Sequence, residues 1–169
     1  MQHLVSDAWG WLHLFASVIA LVAGTFVLWL EKGTVAHKRI GYLYALSMVV
    51  LLSTAFMIYR LFHGWGIFHW MAVVSALTLA CGLWPVLAKW PRKQYISLHL
   101  SFMYWSVMGL YGAFAAETMV RLPKIVIESG VPNKVFYLMS GLATGLTMAI
   151  GAFAFFRLKG KWDSKFRGE

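Results

Sequence analysis

The sequence predicts an all-α integral membrane protein of five transmembrane helices, an antiparallel four-helix core with one accessory helix. Three observations predict it. Of the 169 residues, 60% are hydrophobic and only 12% are charged, whereas about a quarter of a soluble domain is charged. Five stretches carry no Asp, Glu, Lys or Arg: Ala8 to Leu30, Ile40 to Tyr59, Leu61 to Ala88, Gln94 to Ala116 and Val135 to Phe156. Each reaches the roughly 20 apolar residues that a helix needs to cross the hydrocarbon. The links between them are short, so residues 1–169 read as one membrane domain, with spans at about 8–30, 40–62, 67–89, 94–118 and 134–157.

The punctuation between spans supports each element in turn. Ser6 and Asp7 stand where a cap of the first helix is needed, and the start has neither a basic residue nor a small-residue cleavage site. The first span is therefore expected to stay in the membrane. Gly33-Thr34 separates spans one and two, His63-Gly64-Trp65-Gly66 makes a tight turn before span three, and Trp90-Pro91 breaks span three from span four. Links this short make neighbouring helices antiparallel. One longer link, Arg121 to Asn133, carries Pro123, Gly130 and Pro132. The fifth span holds Gly141-x-x-x-Gly145 followed by Ala149, a small-residue stripe suited to close packing against the core or against a second copy. Trp9, Trp11, Trp29, Trp65, Trp70, Trp84 and Trp90 fall near span ends, as an interfacial belt requires.

Charge orients the bundle. Lys32, Lys38 and Arg39, then Lys89, Arg92 and Lys93, then Arg157, Lys159, Lys161, Lys165 and Arg167 all fall on one side, leaving Arg60, Arg121, Lys124 and Lys134 for the other. By the positive-inside rule the N-terminus lies outside and the C-terminus in the cytoplasm. The net charge of +9 is then topology plus contact with anionic lipid headgroups, and it calls for no nucleic acid.

Histidines carry the functional signal. His13, His37, His69 and His99 fall one per span, each near the N-terminal end of its own helix. Ionisable residues inside a bilayer are costly, so their recurrence at one depth points to a site. Antiparallel order places His13 and His69 at the outer face and His37 and His99 at the inner face, in two layers on the order of 20 Å apart by helical rise. At 100° per residue, Gly24 lies on the face of His13, Ala55 on that of His37, Ala76 and Ala80 on that of His69, and Ser106 and Ala113 on that of His99. Small side chains there would let a flat macrocycle approach the helices. Two imidazoles per layer fall short of a tetrahedral zinc site unless His3 and His63 join the outer pair, but they suffice as axial ligands of a haem. No Cys-x-x-Cys-His motif is present, so any haem is non-covalent and of b type. The single cysteine, Cys81, reads as inert packing in span three. Lys38 and Arg39 lie where inner haem propionates need cations. Glu117, on the His99 face at the outer end, is the acidic residue best placed for proton uptake or a quinol.

The stretch Lys32-Gly33-Thr34-Val35-Ala36-His37-Lys38-Arg39-Ile40-Gly41-Tyr42-Leu43-Tyr44, with Met48 beyond it, resembles the signature of a bacterial family of membrane proteins of unknown function, DUF2306. The helix and histidine pattern is also similar to the four-helix core of the di-haem cytochrome b561 family, although that family has six spans. That resemblance implies an outer haem b on His13 and His69 and an inner one on His37 and His99. It further implies transmembrane electron transfer across a bacterial inner membrane, with a quinone or other small redox molecule as donor or acceptor. Two other readings stay open. One is a zinc- or copper-handling protein using His3, His13, His63 and His69; the other is an accessory subunit, dimeric or within a larger respiratory or photosynthetic complex.

Overall fold

A computed structural model describes residues 8–59, 63–121, 127–128 and 131–166. The described residues form five helices: α1 (Ala8–Trp29), α2 (Val35–Ala55), α3 (Ile67–Ala88), α4 (Tyr95–Arg121) and α5 (Lys134–Phe166). Within the long link, β1 (Ile127–Glu128) pairs antiparallel with β2 (Val131–Pro132), a two-residue ladder in an otherwise helical protein. His3, Ser6, Asp7, Arg60, Lys124 and Arg167 lie outside the described residues.

Four helices, α1, α2, α3 and α5, are long and apolar enough to cross a membrane. α4 is longer than α1 to α3, at 27 residues, but Ser97, His99, Ser101, Tyr104, Ser106 and Tyr111 make it more polar. Its neighbours explain how that polarity is housed, since α4 packs closely against both α3 and α5.

Local chemistry sets the ends. Lys32 turns its ammonium back onto α1, donating to the carbonyls of Val27 at 2.7 Å, Leu28 at 2.9 Å and Leu30 at 3.3 Å. These are carbonyls that a helix end leaves unpaired. Gly33 has φ +84°, a left-handed conformation open to glycine. Thr34 then caps α2, its hydroxyl accepting from the His37 N–H at 3.2 Å. α2 consequently starts at Val35 instead of residue 40, because a helix with a good cap runs through Lys38 and Arg39 whatever their charge. It also ends at Ala55, short of residue 62, in a turn at Phe56 and Met57. The fifth helix opens where the Asn133 side chain accepts from the Phe136 N–H at 3.0 Å and runs to Phe166, past the expected residue 157.

Two helical hairpins, α1–α2 and α3–α4, pack tightly within themselves and touch each other more lightly through α2–α3 and α1–α4. The result is a ring of four in which α1 faces α3 and α2 faces α4 across a seam, with α5 laid against α4. Ala16, Ala20, Ala23 and Val27 of α1 form one buried face against Tyr44, Met48 and Leu51 of α2, with Leu79 of α3 and Met103, Val107 and Leu110 of α4 completing the core. Large apolar side chains such as Phe26, Leu46, Leu77, Leu146, Ile150 and Phe153 point outward. Lipid, not water, is the medium that tolerates so much exposed apolar surface.

Candidate functional site

The inner layer is built where α2 and α4 begin. His37 sits in the first turn of α2, and His99 lies one turn into α4. Their rings meet across the seam with centroids 6.5 Å apart and planes at 89°. Two imidazoles on one metal ion, each nitrogen ~2 Å from it and each ring centre ~1 Å further out, lie ~6 Å apart.

Hydrogen bonding fixes how each ring could be used. His99 Nδ1–H donates to the Gly82 carbonyl at 2.7 Å, the outer contact by which metal-ligating histidines are usually oriented. Its Nε2 is left as the basic nitrogen. Gly82 suits that role because a Cβ there would lie 2.7 Å from the Met103 sulfur and 3.2 Å from the Met103 amide nitrogen. Without a side chain, α3 comes close enough for its carbonyl to reach the ring. His37 Nδ1 is buried and has no hydrogen-bond partner among the described residues. The pair fits a haem by its spacing, with Nε2 open on His99 and, since the His37 ring also hydrogen-bonds the Val27 backbone, Nδ1 open on His37.

Cations surround this layer. Lys38 and Arg39, expected to meet propionates, are exposed and follow His37 directly in the chain. Lys32 lies close enough to act electrostatically on both histidines, and burial holds its own amine below the usual lysine range. Two helical turns above, ~10 Å along the axes, the Tyr44 hydroxyl and Ser106 hydroxyl share a buried hydrogen bond of 2.8 Å. A Cβ on Gly24 would stand 3.0 Å from the Tyr44 ring. Gly24 and Ser106, expected to clear the way for a macrocycle, thus receive Tyr44 instead.

The outer layer differs. The Thr54 hydroxyl donates to the Val50 and Leu51 carbonyls, both at 2.9 Å. Toward His13 it must therefore accept, and His13 Nδ1–H donates to it at 3.0 Å. His13 has the tautomer that an axial ligand needs. His69 has the opposite one: its Nδ1 accepts from the Gly66 N–H at 3.1 Å, and the His69 backbone N–H donates to the Gly66 carbonyl. In the neutral ring Nε2 then bears the proton. His69 does not fit an axial ligand in this arrangement.

Other expected roles fall elsewhere. Ala76 is half-buried and Ala80 is exposed, because α3 turns that face outward away from the seam. Cys81 is likewise exposed, so it lies on the outer surface and does not pack in the core. His63 is exposed in a turn with φ +50°. Glu117 is half-buried near the outer end of α4. Among the described residues no three His, Cys, Asp or Glu side chains gather as a metal site, and His3, one of the four histidines of the zinc or copper reading, lies outside them. Gly141 and Gly145 meet nothing within 4 Å. The stripe expected to pack against the core or a second copy faces away from the core, and Gly112 and Gly151 receive the α4–α5 contact through Met148 and Met108.

Thr54, Tyr44, Gly82 and Gly66 are site residues that spacing from the histidines did not single out. Hydroxyls inside apolar spans were the available signal for the first two, and the three-residue spacing from Gly66 to His69, that of a capping box, was the signal for the last.

Comparison with family models, with curated proteins and with solved structures finds no match.

Proposed function

We propose that the protein is a transmembrane electron carrier of cytochrome b type, with a non-covalent haem held by His37 and His99 at the cytoplasmic face of a bacterial inner membrane. The observation that supports it is the perpendicular His37–His99 pair, 6.5 Å between centroids, bridging two lightly joined hairpins. A haem bound there would supply one-electron chemistry. Gly82 orients His99, the Thr34 cap sets where His37 begins its helix, Lys38 and Arg39 offer cations to propionates, and the Tyr44–Ser106 pair ties α2 to α4 two turns further along. The second haem that the sequence pattern implies would need His13, which is suitably oriented, and His69, which would first have to release the Gly66 N–H.

The optical spectrum of purified protein, before and after dithionite, tests the reading. The expected result is a low-spin b-type spectrum that His37→Ala and His99→Ala each abolish. A colourless preparation from haem-replete cells would reject it.

A further inference from the structure

α5 is longer than a bilayer needs. Its 33 residues extend ~50 Å at the helical rise, against ~30 Å of hydrocarbon. No Asp, Glu, Lys or Arg interrupts Val135 to Phe156, and Arg157, Lys159 and Lys161 beyond them are exposed. The helix therefore enters the headgroup layer at Arg157. Trp162 packs on Tyr104 at 5.8 Å and on Phe155 at 6.2 Å, which holds this end of α5 against α4.

At 100° per residue, Leu146, Ile150, Phe153, Arg157 and Lys161 fall within about 80° of one another. All five are exposed, on the side of α5 opposite Gly151 and Phe155, which meet α4. From Leu146 to Arg157 the stripe rises ~16 Å, about the depth of one leaflet. The Arg157 guanidinium lies 4.8 Å from the centre of the Phe153 ring, a cation–π contact that keeps it against the helix. Lys161 stands one turn further on, the spacing at which helix side chains are neighbours. Two cations so placed match one phosphodiester, to which an arginine offers a planar fork of donors. A zwitterionic headgroup brings an ammonium of its own that the same cations repel; an anionic one does not.

We infer that the end of α5 retains one anionic phospholipid, with an acyl chain along Leu146, Ile150 and Phe153 and its phosphate at Arg157 and Lys161. This is a defined site, beyond the diffuse attraction of a basic membrane edge, and it does not depend on the proposed haem.

Native mass spectrometry of the full-length protein in detergent tests it, with an equimolar mixture of phosphatidylglycerol and phosphatidylcholine of identical acyl chains as probe. Wild type is expected to retain one phosphatidylglycerol per chain in preference to phosphatidylcholine. Arg157→Gln and Lys161→Gln should each weaken that binding about fivefold, the worth of one basic side chain at an anionic surface, and Arg157→Lys should keep part of it. Phe153→Leu, which leaves the stripe apolar but removes the ring, should weaken it less than Arg157→Gln does. The double change Arg92→Gln with Lys93→Gln removes equal charge from the exposed link between α3 and α4 and should leave binding as in wild type. Millimolar glycerol phosphate, the headgroup without its chains, should not displace the lipid. Equal retention of the two lipids by wild type would overturn the inference. So would unchanged phosphatidylglycerol binding in Arg157→Gln with Lys161→Gln, an equal loss in Arg92→Gln with Lys93→Gln, or displacement by glycerol phosphate.

Discussion

At the residue scale, glycines show how close contact and open space give opposite outcomes for one substitution. Gly41 lies within α2 with nothing near the position of a Cβ, so Gly41→Ala should stabilise the protein by about 0.5–1 kcal/mol through reduced chain entropy and better helix propensity. Gly82→Ala adds the same methyl where the Met103 sulfur and amide nitrogen already stand. The sulfur can swing aside, but the backbone nitrogen at 3.2 Å cannot move without displacing α4. A cost of about 1–3 kcal/mol follows, with the Gly82 carbonyl pushed off His99. Thermal unfolding in detergent should therefore move up for Gly41→Ala and down for Gly82→Ala, and only the second should loosen haem. The histidines give a sharper test. If His37 and His99 share one cofactor, His37→Ala and His99→Ala should each lose it, and the double variant should lose nothing more; that non-additivity marks shared function. Haem that survives either single change would refute the pairing.

At the element scale, each helix end depends on one or two side chains. Thr34 holds the first turn of α2 by accepting from the His37 N–H, so Thr34→Ala should cost about 1 kcal/mol. Because His37 is in that turn, amide exchange should quicken at His37 and its neighbours and leave α3 untouched. Element boundaries also show what sequence could and could not give. The number, order and pairing of the helices followed from charge-free stretches and turn residues, and the meeting of His37 with His99 followed from antiparallel order. The start of α2 did not, because a charge-free stretch does not mark a helix start; the Thr34 cap marks it and lets Lys38 and Arg39 join. The orientation of each imidazole was beyond reach for a different reason. Whether Nδ1 donates to Thr54 or Gly82, or accepts from Gly66, depends on which backbone or hydroxyl group the fold brings within 3 Å. Spacing along one helix cannot report a partner on another.

At the scale of the whole molecule, the lightly packed seam between two tight hairpins has to be read together with the membrane. A seam of that kind would expose buried polar groups such as Tyr44 and Ser106 if the hairpins parted in water. In a bilayer, helix packing and interhelical hydrogen bonds keep the bundle together, and each internal hydroxyl must find its partner within the protein. Tyr44→Phe should thus cost about 1–3 kcal/mol by orphaning the Ser106 hydroxyl, which is 0% exposed. Orientation is the property on which the meaning of the inner and outer layers depends. Basic residues follow α1, α3 and α5; if all five helices cross, the positive-inside rule puts that side in the cytoplasm. A reporter active only in the periplasm should then be silent when fused after Glu169, and active when fused in the link between α4 and α5. An enzyme active only in the cytoplasm should give the reverse. A periplasmic signal from the Glu169 fusion would leave the His37–His99 geometry intact but invert its setting, placing Lys32, Lys38 and Arg39 outside. The redox partner would then have to be sought on the other face.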